Sequence, residues 1–219
     1  YLYGAGVSYT CENTTITSCD ISNNTIGLFL AGANGATISG NTFTDNTYRS
    51  IVMQQDSNNN VVKGNTITMT GTDTLDGIYI GNNSGGNTIG VNGEANAITM
   101  STSTTLEGGG AHLPRAIYLS GVGASNNTIQ YNTIDGSASA IQIDGNTGTT
   151  TVDHNTIGQT TPPSFRGVQI NGGSLVMTNN TLKNSVRPVE FWGAADVTIT
   201  DNTIDGTTCD FINIGSFSA

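Results

Sequence analysis

The sequence predicts an all-β chain, a single right-handed parallel β-helix solenoid of about seven to eight coils over 1–219. Two recurring patterns and their spacing predict it. The first is a seven-residue pattern at 37–43 (TISGNTF), 61–67 (VVKGNTI), 128–134 (TIQYNTI), 151–157 (TVDHNTI), 176–182 (VMTNNTL) and 198–204 (TITDNTI). A weaker copy lies at 15–21 and a modified one begins at Thr88. The second is an apolar alternation after each copy: 28–30 (LFL), 51–53 (IVM), 78–80 (IYI), 117–119 (IYL), 141–143 (IQI), 168–170 (VQI), 189–191 (VEF) and 212–214 (INI). Where no loop intervenes the copies recur about every 22 to 25 residues, a period at which stacked units share one core.

Each element then has a physical reason. Period-two alternation turns the outer members of each triplet inward and the middle one toward solvent. The recurring Asn41, Asn65, Asn132, Asn155, Asn180 and Asn202 suit a turn, because an amide tolerates left-handed dihedrals and stacks on its copy one coil away as a hydrogen-bonded ladder. Gly, Asn and Thr interrupt every window long enough for an amphipathic helix. Residues 1–14 read as a lead-in or partial coil and 93–114 as a loop insertion.

Charged residues make up 10% of the chain and the formal net charge is −10, which disfavours nucleic acid as a partner. No apolar run reaches the roughly 18 to 20 residues that span a bilayer, so membrane insertion is not expected. The chain starts at Tyr1 without a leader and reads as a mature or excised fragment. Few Lys and abundant Thr, Asn and Gly fit an extracellular or surface-displayed protein. Cys11 and Cys19 are close enough to bridge in an oxidising compartment, or remain two thiols, while Cys209 is too far along a rigid stack to reach them.

The Asn-Thr-Ile copies with their following apolar triplets resemble the parallel β-helix repeats of the pectin-lyase-like superfamily, including NosD-like and cell-surface β-helix proteins. The resemblance runs over about 15–215 and implies the fold. It implies a carbohydrate setting more loosely, since that superfamily holds lyases, hydrolases, epimerases, tailspikes and adhesins. The paired-aspartate, Gly-His-Gly and Arg-Ile-Lys pattern of polygalacturonases is absent. Calcium-binding Gly-Gly-x-Gly-x-Asp nonapeptides are absent as well, since Gly110 is followed by Ala111 and His112. No cofactor and no metal site are expected.

Aligning the coils on the second triplet gathers the chemistry on one face. The position two before the first inward residue reads Arg49, Asp76, Arg115, Ser139, Arg166, Arg187 and Asp210, which takes in all four arginines of the chain. The middle position reads Phe29, Val52, Tyr79, Tyr118, Gln142, Gln169, Glu190 and Asn213. The next outward position reads Gln54, Gly81, Ser120, Asp144, Asn171 and Trp192, the only tryptophan. Aromatic faces suit pyranose rings, and amides, carboxylates and guanidinium forks suit sugar hydroxyls or acidic groups. Loops of varying length at 70–75, 101–114 and 159–165 lead into this face.

Two readings of Arg49, Asp76 and Arg115 stand side by side: a binding strip, or a ladder of surface ion pairs each contributing about 0 to 1 kcal/mol. Arg166 and Arg187 are like charges on adjacent strands, which a bound anion would relieve, as would Glu190 or Asp210. The expected function is a polysaccharide-binding or adhesion module using Arg49, Asp76, Tyr79, Arg115, Tyr118, Gln142, Asp144, Gln169, Arg187 and Trp192. The alternative is a polysaccharide lyase or glycoside hydrolase in the same groove, with Glu190 and Asp210 or Asp144 as acid and base, or Arg166 as a lyase base. A third reading, ice binding, rests on the outward column Thr42, Thr66, Thr133, Thr156, Thr181 and Thr203, beside which a second regular rank is missing. The ends suit homo-oligomerisation or flanking domains of a larger chain.

Overall fold

The computed structural model describes residues 11–71, 74–101, 113–145, 148–158, 166–193 and 196–205, together with the backbone of strand Ile212–Gly215. Among them there is no helix. Three eight-stranded sheets, all paired in parallel, wind into a right-handed β-solenoid of about seven turns. A two-stranded piece, Cys11–Glu12 with Ala33–Asn34, begins the stack.

Each seven-residue copy supplies two strands. Thr37–Ser39 lies in one sheet and Thr42–Thr44 in the next, and Gly40 (φ 62) with Asn41 makes the corner between them. The apolar triplet then belongs to a third, longer strand such as Arg49–Gln54 or Asp76–Gly81. The inward residues form one continuous core along the axis, with Phe43, Ile51, Ile67, Ile78, Ile98, Ile117, Ile141 and Ile157 buried. Burying each such side chain contributes about 1.5–3 kcal/mol.

The asparagines form the expected ladder, and it has one more rung than the repeats show. Side-chain amides of Asn41, Asn65, Asn96, Asn132, Asn155 and Asn180 each donate to the carboxamide oxygen one coil on, at 2.9–3.0 Å, ending at Asn202. Asn132 also donates to the Ile89 carbonyl behind it at 2.9 Å. Asn96 lies within 93–114, and Ala97–Met100 after it is a strand paired with Thr66–Met69. The stretch read as one loop insertion is therefore interrupted by a regular piece of coil. A second ladder, Asn60 to Asn87 to Asn127, lines another corner.

Cys11 and Cys19 are free thiols. Cys11 lies in the starting strand, whereas the Cys19 backbone N–H donates to Asn41 at the first ladder corner. Cys209 lies outside the described residues.

Because each ladder asparagine is the partner of buried backbone groups, replacing one strands several of them at once. Asn132→Ala is expected to lower the unfolding free energy by about 2–4 kcal/mol in urea denaturation. Its exposed neighbour, in the variant Thr133→Ala, should change it by about 0.5 kcal/mol or less.

Candidate carbohydrate-binding face

The site sheet is Ile26–Ala31, Arg49–Gln54, Asp76–Gly81, Arg115–Ser120, Ser139–Asp144, Arg166–Asn171, Arg187–Trp192 and Ile212–Gly215. Its register pairs Arg49, Asp76, Arg115, Ser139, Arg166 and Arg187 in one column, and Val52, Tyr79, Tyr118, Gln142, Gln169 and Glu190 in another. In a regular strand, residues three apart face opposite sides. Here they share a face: Arg187 bonds Glu190 of its own strand at 2.7 Å, and Arg115 lies over Tyr118 of its own strand. In six of these strands the second position is buried and compact, as Ser50, Gly77, Ala116, Ala140, Gly167 and Pro188. A Cβ on Gly77 would stand 2.6 Å from the Ala116 carbonyl, so the chain turns tightly enough there to bring both columns outward.

At one end of the face, Asp76 is fully buried between two arginines. Arg49 donates Nε to one carboxylate oxygen at 2.7 Å and Arg115 donates Nε to the other at 2.6 Å. Burial pushes the Asp76 carboxyl above its usual range, while the two guanidiniums pull it down. The Arg49 guanidinium lies over the Tyr79 ring at 3.8 Å and the Arg115 guanidinium over the Tyr118 ring at 3.6 Å. The two tyrosine rings meet at 5.6 Å, tilted by 58°. These aromatic faces, expected to take pyranose rings, carry guanidiniums instead, a contact that itself holds the charge in place. Gly81 makes room for this, since a Cβ there would come within 2.4 Å of the Tyr79 hydroxyl.

The middle of the face is an amide and carboxylate network. Asp144 accepts from the Tyr118 hydroxyl at 2.9 Å, from Gln142 at 2.7 Å and from the Asn171 amide. Gln169 donates to Asn171 and accepts from Ser139. At the far end Glu190 is fully buried, with Arg166 on one oxygen and Arg187 on the other. The repulsion between the two arginines, for which a bound anion was one expected remedy, is answered by Glu190. Trp192 ends the outermost column, half-buried, and Asp210 lies outside the described residues.

Elsewhere the threonine column is broken, because Ala97 stands between Thr66 and Thr133. Tyr131 and His154 occupy successive corners in left-handed conformation (φ 55 and 52), their rings stacked at 4.9 Å. His154 Nδ1 is 2.6 Å from Asp153. Among the described residues no three or more His, Cys, Asp or Glu side chains gather as a metal ion requires.

Three parallel sheets and their asparagine ladders define a right-handed parallel β-helix, consistent with pectin-lyase-like repeats. Residues 2–109 match the family described as right handed beta helix region. None of the curated proteins matches the chain. Among solved structures, the mannuronan C-5 epimerase AlgE4 A-module of Azotobacter vinelandii is similar, with a TM-score of 0.72 at 14% identity. The alignment covers 95% of this chain and 58% of that one, and at this identity the likeness is one of fold.

Burial and the neighbouring Asp144 raise the Tyr118 hydroxyl above the usual tyrosine value of 10.0. The folded state therefore holds this proton more tightly than the unfolded state, so the contribution is complete below pH 10.0 and is lost as pH rises through the folded value. Alkaline denaturation followed by circular dichroism should show Tyr118→Phe losing less stability above pH 10.0 than the parent. Equal slopes for the two proteins would contradict this linkage.

Proposed function

We propose that this face binds polysaccharide without cleaving it, as part of an extracellular or surface-displayed module. One observation carries the reading. Arg49 and Arg115 commit Nε to Asp76 and lie on tyrosine rings, so the terminal amino groups of both guanidiniums have no partner among the described residues. Two cations around one carboxylate leave a formal charge of +1 at the surface, suited to a uronate carboxylate or a sulfate. Beside them, Gln142, Asp144 and Asn171 offer groups for sugar hydroxyls, already oriented by their own hydrogen bonds and so ordered before a ligand arrives, while Gln169 is buried beneath them. The fold likeness to a mannuronan C-5 epimerase module supports the polysaccharide part of this reading.

A carbohydrate-active enzyme using the same groove is the second reading. The hydrogen bond from Tyr118 to Asp144 favours it, since it sets a hydroxyl proton and a carboxylate acceptor together beside Arg115. The carboxylate expected as its acid or base, Glu190, has both oxygens held by arginine and no exposure, and this favours binding over cleavage.

Incubating the full chain with neutral and acidic polysaccharides, and following both retention on insoluble polymer and release of unsaturated or reducing-end products, tests the two together. Retention without products is expected. The double variant Arg49→Gln, Arg115→Gln should weaken binding of an acidic polymer about tenfold or more, equivalent to about 1.4 kcal/mol, and added salt should weaken the parent's binding in the same direction. Product release would replace the binding reading with the enzymatic one.

A further inference from the structure

We propose that Tyr48, which stands outside the columns aligned by the apolar triplets, sets which anion the face accepts, by closing Arg49 into a slot for a planar carboxylate. The proposal rests on the polysaccharide reading above and chooses between the two acidic groups that it allows. In the coils that follow, the residue just before the first column is buried: Leu75 before Asp76, Pro114 before Arg115 and Ala138 before Ser139. Tyr48 holds that place before Arg49 and is 38% exposed. Its backbone is nevertheless fixed. The Tyr48 carbonyl accepts from the Leu75 N–H at 3.1 Å and from the Asp76 N–H at 3.2 Å, which ties it to the next coil.

The Arg49 guanidinium meets two rings, Tyr48 of its own chain segment at 4.7 Å and Tyr79 of the next coil at 3.8 Å. Among the described residues Arg115 meets one ring, Tyr118. With Nε of Arg49 committed to Asp76, the edge that carries its two terminal amino groups is what remains for a ligand. A carboxylate is planar and lays both oxygens in the plane of that edge, as two parallel hydrogen bonds. A sulfate ester that does the same must turn its remaining oxygens out of the plane, toward the rings. An aromatic face is negative, and an oxygen left there without a donor bears the full cost of its lost hydration. The preceding coil adds no rival cation, because Ile26 and Phe29 stand beside Arg49 and Val52. The charged strip ends at this slot.

The test presents one polymer in three forms, at matched length and ionic strength, to the full chain. Polygalacturonate carries a carboxylate on every sugar, its carboxyl-reduced form carries no charge, and the reduced form sulfated at the freed primary hydroxyl carries a sulfate in the same place. Polygalacturonate is expected to bind about fivefold tighter than the sulfated form, and the uncharged form most weakly. Tyr48→Ala should weaken polygalacturonate binding about threefold and narrow the ratio between the two acidic forms. Tyr48→Phe, which keeps a ring over the guanidinium, should retain the parent ratio, and circular dichroism reports whether each variant keeps the parent fold. The sulfated form binding the parent as tightly as polygalacturonate, or a ratio unmoved in folded Tyr48→Ala, would overturn the slot while leaving polysaccharide binding standing. Retention of none of the three forms would overturn both.

Discussion

The vertical hydrogen bond between coils is the interaction on which the rest of this protein depends. Each strand pairs in parallel with its equivalents above and below, and at the corners, where backbone pairing lapses, the asparagine amides continue it. A buried polar side chain is costly unless satisfied. Here each rung satisfies and is satisfied, so a corner that would otherwise be a liability instead locks the lateral position of every coil. Slippage of one coil by one residue would turn its inward set outward and break its rung in the same step. Structure and site are therefore held to one register by the same bonds.

That register gives the site sheet its electrostatics. Arginines are brought to a common column, and their long side chains lie down along the sheet onto aromatic rings and carboxylates. The result buries Asp76 and Glu190 completely, each between two guanidiniums. A chain with a formal net charge of −10 thereby presents a local face whose outermost charged groups are cationic at both ends. The sheet is rigid on both sides, with a packed aliphatic core beneath and a bonded polar layer above. It can present charge at fixed intervals without ordering loops first.

Much of this was legible in the sequence, because period and composition alone fix which residues stack. The columns of the site sheet follow from aligning apolar triplets, and the ladder follows from Asn before Thr-Ile. The rung at Asn96 was hidden, because six residues, Gly90 to Ala95, stand before it where other copies have two, and no Asn-Thr-Ile follows. The split of each copy into two strands was also hidden, since the corner takes only two residues. Side-chain reach was the least legible part. Sequence places Glu190 and Tyr118 outward, but whether an arginine then lies over them depends on distances between coils and on the compact residue at each strand's second position. Sequence offered one hint at this: Gly, Ala, Ser or Pro stands at that position on the first seven coils of the site sheet, and Phe211 on the last.

The ladder's spacing in the chain is uneven although its spacing in space is not. Asn180 and Asn202 are 22 residues apart, Asn65 and Asn96 are 31 apart, and Asn96 and Asn132 are 36 apart, yet all are neighbouring rungs. The asparagine corner thus works as a joint at which chain length is decoupled from height. Segments can be gained, lost or exchanged between rungs over evolutionary time without disturbing the coils above or below. A lineage can remodel the borders of its binding face by length change alone while the scaffold stays the same.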